Sequence, residues 1–151
     1  MARVLLAVVL IIPLAAAGAV TVKWASLTNP SDKHDSPLGI CVGNDYVYVV
    51  GYDFSPGDSQ WRIEKRSKAD GRLLKTWTKN PTTYTTYNDL LSHCVVVGDR
   101  LYVLGDWALL SFDLDLNLLK QVSNWYGWPS SVFSDGEYLY IASWECIGKD
   151  D

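Results

Sequence analysis

Clustered basic charge is missing from this 151-residue chain: its 13 Lys and Arg are scattered among 17 Asp and Glu, for a net charge of −4. Phosphate recognition needs Lys and Arg gathered on one face, so the composition argues against nucleic acid as a partner. Nor is there an acidic block that reads as a disordered tail. No P-loop and no Gly-x-Gly-x-x-Gly turn is present to cradle a nucleotide. No Gly-x-Ser-x-Gly elbow is present to expose a serine nucleophile. With two His and three Cys at spacings that fit no zinc motif, a Cys/His metal site has little support. No catalytic residue, metal or cofactor is therefore assigned. Phe (three) and Met (one) are scarce, whereas Trp (seven) and Tyr (nine) are plentiful. Trp and Tyr bury large areas while keeping a polar handle, which suits sheets and recognition surfaces.

The N-terminus carries Arg3, an apolar run over residues 4–12, Pro13, and then Leu14-Ala15-Ala16-Ala17-Gly18-Ala19. A basic start, an apolar core and small residues make residues 1–19 a signal peptide or membrane anchor. The short apolar core before Pro13 favours cleavage after Ala17 or Ala19. An uncharged stretch from Val4 to Val22 approaches the roughly 20 residues of a membrane span and keeps the anchor open. Either reading makes the protein secreted or attached to the cell surface, touching the membrane only through this segment. In that setting Cys41, Cys94 and Cys146 allow one internal disulfide in three pairings. Small buried apolar thiols are the expected role, with Cys41–Cys94 the first bridge to look for.

The remaining residues, 20–151, repeat. Gly43-Asn44-Asp45-Tyr46-Val47-Tyr48-Val49-Val50-Gly51 returns as Gly98-Asp99-Arg100-Leu101-Tyr102-Val103-Leu104-Gly105, and again as Asp135-Gly136-Glu137-Tyr138-Leu139-Tyr140-Ile141-Ala142. Each copy is a polar turn followed by a β-branched and aromatic run, preceded by a short apolar stretch (residues 39–42, 94–97 and 131–133). Downstream, Trp61-Arg62-Ile63-Glu64-Lys65 alternates apolar and charged residues and predicts a half-exposed strand. Asp70-Gly71-Arg72 turns it into Leu73-Leu74-Lys75-Thr76-Trp77. The second unit repeats this as residues 109–113, Asp115-Leu116-Asn117 and Leu118-Leu119-Lys120. Each full unit is thus four antiparallel strands. Tyr48 to Tyr102 is 54 residues and Tyr102 to Tyr140 is 38, around the ~40–50 residues of a four-stranded repeat.

On these residues the chain resembles the β-propeller repeat proteins, quinoprotein-like or kelch-like in the broad sense. The WD dipeptide of one propeller family is reversed here, as Asp106-Trp107, and the paired glycines of kelch repeats are absent. The resemblance implies an all-β chain of four-stranded antiparallel blades. Two are full, the third has only its inner two strands, and residues 22–30, which look like residues 74–81, form an orphan outer strand. A β-sandwich of the same strands is the alternative fold. Closed propellers have ~4–8 blades, so these units alone do not close a ring. Truncation of a longer propeller, or completion by a partner or by self-association through open sheet edges, is the expectation.

In a propeller, the loops between second and third strands share a face with those leading to the next blade. That face collects Tyr52, Asp53, Tyr84, Tyr87, Trp125, Tyr126 and Trp128, the candidate ligand-binding residues, suited to a protein or carbohydrate. Packing of the tryptophans between blades is the structural alternative. Asp53, Asp58 and Asp89 have a weaker claim as cation ligands, turn formation being the ordinary role of such residues. His34 reads as a solvated loop residue. His93, just ahead of an inner strand, reads as a residue lining a channel. The function expected is an extracellular binding or interaction module. The alternative is a fragment of a propeller enzyme of quinoprotein dehydrogenase, lyase or lactonase type.

Overall fold

Alternating and β-branched stretches separated by Gly, Asn and Asp turns leave no run with helical periodicity, and the chain folds accordingly. A computed structural model describes residues 22–81, 90–123 and 128–144; these contain ten strands and no helix. The strands are β1 (Ser36–Val42), β2 (Tyr46–Asp53), β3 (Gln60–Ser67), β4 (Leu73–Lys79), β5 (Leu91–Val97), β6 (Arg100–Gly105), β7 (Ala108–Asp113), β8 (Leu118–Ser123), β9 (Trp128–Ser134) and β10 (Leu139–Trp144). They form three antiparallel sheets, ordered β1-β2-β3-β4, β5-β6-β7-β8 and β9-β10. None of them closes on itself.

The sheets stack through their faces, and their first strands lie side by side, β1 against β5 and β5 against β9. Gly39 permits the first of these approaches, because a Cβ there would stand 2.5 Å from the Ser92 carbonyl oxygen. The main core fills the seam between the first two sheets. Tyr48, Val50, Trp61 and Ile63 meet Leu101, Val103, Leu110 and Phe112, all 0–1% exposed. Complete removal of such side chains from water stabilises the fold by roughly 1.5–3 kcal/mol each.

Three expectations are corrected. Residues 22–30 form no strand. They cross the outer face of the first sheet and are held by side chains rather than by a backbone ladder. Trp24 lies on Gly71, where any Cβ would meet its ring at 2.4 Å, and its indole N–H donates to the Lys68 carbonyl at 3.1 Å. The likeness to residues 74–81 is one of residue types, and packing overrides it. Second, β3 is not half-exposed: Glu64, Lys65 and Arg66 are 5%, 5% and 3% exposed. Charge alternation marks solvent exposure only where nothing covers the charges, and here both faces are covered. Third, Cys41 and Cys94 are not free thiols but a disulfide, with Cα atoms 5.7 Å apart. It joins β1 to β5 across the seam. Cys146 lies outside the described residues.

Candidate interaction surfaces

The antiparallel order brings the ends of β2, β4, β6 and β8 and the start of β9 to one end of the stack. Tyr52 and Asp53 are not loop residues as expected; they are the last two residues of β2. Tyr52 is half-buried and meets Phe54 edge-on at 5.8 Å. The Asp53 carboxylate is wholly buried. It accepts hydrogen bonds from the Gln60 amide (2.8 Å), the Ser55 backbone N–H (2.8 Å) and the Arg62 guanidinium (3.1 Å). Burial pushes this carboxyl up, but the bonds from Gln60, Ser55 and Arg62 outweigh it and hold it below the ordinary range. Asp53 is therefore committed to the protein's own groups. Asp58 accepts from the Asn80 amide at 2.9 Å. Tyr84, Tyr87, Asp89, Trp125 and Tyr126 lie outside the described residues. Trp128 opens β9 opposite Trp144. His34 is exposed. His93 is half-buried within β5, and its Nδ1 is buried without a hydrogen-bond partner. Among the described residues no three His, Cys, Asp or Glu gather as a metal site.

Behind Tyr52 a cleft of about 40 Å³ is lined by Thr28, Pro30, Ser36, Pro37, Arg62 and Glu64 among others, which is room for a water molecule rather than an organic ligand. It sits over a row of charges on β3 that sequence reading missed as a unit. Glu64 accepts from Arg62 on one oxygen (2.9 Å) and from Arg66 on the other (2.8 Å from Nε). Arg66 also donates to Ser26 Oγ (2.7 Å) and to the Gly71 carbonyl (3.0 Å). The i, i+2, i+4 spacing within a strand placed these three side chains on one face; nothing local showed that residues 24–30 would cover them.

The seam between the first two sheets has its own polar ladder. The Tyr48 hydroxyl donates to the Leu114 carbonyl at 2.7 Å. Lys65 pairs with Asp115 at 2.6 Å while standing 3.7 Å from the centre of the Tyr46 ring. Lys79 donates to Gln121 at 2.7 Å. Trp61 packs on Trp107 with ring centres 5.2 Å apart. Burial, followed by the negative charge of Asp115, pushes the Tyr48 phenol up to about 12. A phenol raised above its unfolded value of about 10 contributes stability that is complete below pH 10 and is lost as pH climbs to 12. Tyr48→Phe is accordingly expected to cost about 1 kcal/mol at pH 7. It is also expected to flatten the fall in stability between pH 10 and 12, as read by urea unfolding against pH.

The third sheet offers the opposite situation. Val132 and Ile141, paired across β9 and β10, are half-buried. On the other face, Phe133 pairs with Tyr140, and they are 68% and 52% exposed. Compared with known proteins, the chain matches no family model and no curated protein.

Proposed function

We propose that the protein is an extracellular interaction module of β-propeller type, its three sheets being successive blades and the strand-end loops its recognition surface. The observation that carries this reading is the seam tyrosine. Tyr48, Tyr102 and Tyr140 occupy one register position, opposite Cys41, Val95 and Phe133 on the neighbouring first strands. Tyr48 reaches across to the β7–β8 turn of the next sheet. Side-by-side first strands, with each sheet leaning on the next, support blades radiating from an axis over the two parallel layers of a sandwich. A disulfide across the first seam agrees with an exported chain.

Recognition is assigned to the end of the stack where Tyr52 lies. Its aromatic and amide-bearing residues fit a carbohydrate or an extended peptide, and interaction requires no closed ring. The test is an oligosaccharide and peptide array probed with the full chain, followed by titration of any hit against Tyr52→Ala and Trp125→Ala/Trp128→Ala. A ligand whose binding weakens tenfold or more in these variants, and is unchanged in Leu118→Ser on the outer strand, supports the reading. No binding, or binding indifferent to all three positions, overturns it.

A further inference from the structure

The two ends of the stack are built differently. At equivalent register positions, Glu64 and Arg66 of the first sheet stand opposite Val49 and Val47, while Leu110 and Phe112 of the second stand opposite Val103 and Leu101. The second sheet turns its apolar pair toward the first sheet, into the core. The first sheet turns its charged pair outward, under residues 24–30. That end is closed to another sheet: the charges are already paired, and chain lies over them.

The other end is open, and apolar at its centre. Disulfide bonding points Cys94 at the first sheet, so strand alternation points Val95 and Tyr102 at the third; Tyr102 is half-buried there. Among the described residues, the matching positions on the third sheet, Phe133 and Tyr140, have nothing of this kind over them. The Tyr140 hydroxyl donates to Asp135 of its own hairpin at 2.7 Å, whereas the Tyr48 hydroxyl crosses to the neighbouring sheet. Ser131 and Ala142, paired on the same face, are also exposed. Ser131, Phe133, Tyr140 and Ala142 carry no charge; the Asp135 carboxylate, bonded to the Tyr140 hydroxyl, stands at the hairpin end of the face, away from the Ser131–Ala142 pair.

We infer that this face is a self-association surface, and that its occupant is the same face of a second copy of this chain, related by a two-fold axis. The surface continues the established seam series, each face of which is filled by another sheet. A head-to-tail arrangement that continued the stack would need the outer face of the first sheet, which is charged and covered. The like-on-like contact remains; it closes at two copies and does not propagate into fibres. The contact is between sheet faces, with Phe133 and Tyr140 at its centre, and differs from pairing of open strand edges.

Sedimentation velocity of the full chain over a hundredfold concentration range tests this, beside Phe133→Ser/Tyr140→Ser and an outer-strand control, Leu118→Ser/Leu119→Ser. The expected result is a monomer–dimer equilibrium in the wild type and the control, weakened at least tenfold in the face variant, with far-ultraviolet circular dichroism unchanged. Hydrogen exchange of the wild type at low and high concentration keeps the test informative if the face variant fails to fold. Protection is expected to rise with concentration over residues 131–142 and not over residues 73–75 or 118–120. A wild type that stays monomeric, a dimer that survives the face variant, or protection that rises on the outer strands instead would each overturn the inference. None of these readouts depends on an external ligand, so the outcome is separable from that of the recognition surface.

Discussion

Replacing both half-cystines, as Cys41→Ala/Cys94→Ala, is expected to lower the stability of the folded chain by about 4 kcal/mol, within a 2–5 kcal/mol range. The bridge spans 53 residues of sequence, and closing a loop of that length removes on the order of 4 kcal/mol of conformational entropy from the unfolded chain. Its position makes the loss felt in the native state as well. Cys41 and Cys94 face one another at the inner end of the seam, where the approach of β1 to β5 depends on Gly39. Toward the outer end the seam is held by Tyr48, Lys65 and Lys79, each through one polar contact to the second sheet, and by the exposed Lys75, which donates to the Asp115 carbonyl and to Asn117. Such contacts contribute about 1 kcal/mol apiece at best, so they do not replace the covalent link. The measurement is urea unfolding of the oxidised wild type and the variant, followed by circular dichroism. A difference below about 1 kcal/mol would mean that packing alone fixes the two sheets.

The sequence carried the strand framework almost in full, because strands here are bounded by turns with unmistakable chemistry. Asp70-Gly71 and Asp135-Gly136 place Gly at φ values of +74° and +99°, a conformation that only Gly adopts without cost. Asn117 and Asp115 donate their backbone N–H groups to the Asp113 carboxylate and close the β7–β8 turn. What was not legible was anything decided by a distant neighbour. Residues 22–30 have the composition of a strand, and only the face of the first sheet determines that they lie across it. Likewise Arg62, Glu64 and Arg66 read as solvent-facing until the covering segment is known. For the candidate site, Tyr52 and Asp53 were expected in the loop after the second strand and instead end β2, and composition cannot tell a carboxylate offered to a ligand from one saturated by Gln60, Ser55 and Arg62. The Trp61–Trp107 contact was missed because its two members lie 46 positions apart, with no local pattern linking them.

The buried charges on β3 lead to the second large effect. Glu64→Leu removes the carboxylate that both Arg62 and Arg66 hold, leaving Arg66, 3% exposed, with two neutral partners. Loss of one member of a buried ion cluster costs roughly 3–5 kcal/mol, because the remaining charge stays desolvated without its counter-charge. The repeat indicates how to remove that penalty: the second sheet holds Leu110 and Phe112 at the positions of Glu64 and Arg66. Glu64→Leu/Arg66→Phe therefore copies an apolar pair that this fold already packs, and it leaves Arg62 with Asp53, 3.1 Å away. The double variant gives up the Arg66 bonds to Ser26 and to the Gly71 carbonyl, about 1 kcal/mol each, but it no longer buries a lone cation. It is expected to recover most of the loss, ending within about 2 kcal/mol of the wild type and above Glu64→Leu alone. The comparison is a double-mutant cycle completed by Arg66→Phe and read by urea unfolding at pH 7. Strong coupling between the two positions is the expected result. Additive losses would mean that residues 24–30 are held by the Arg66 hydrogen bonds themselves, and that the uncompensated charge contributes little.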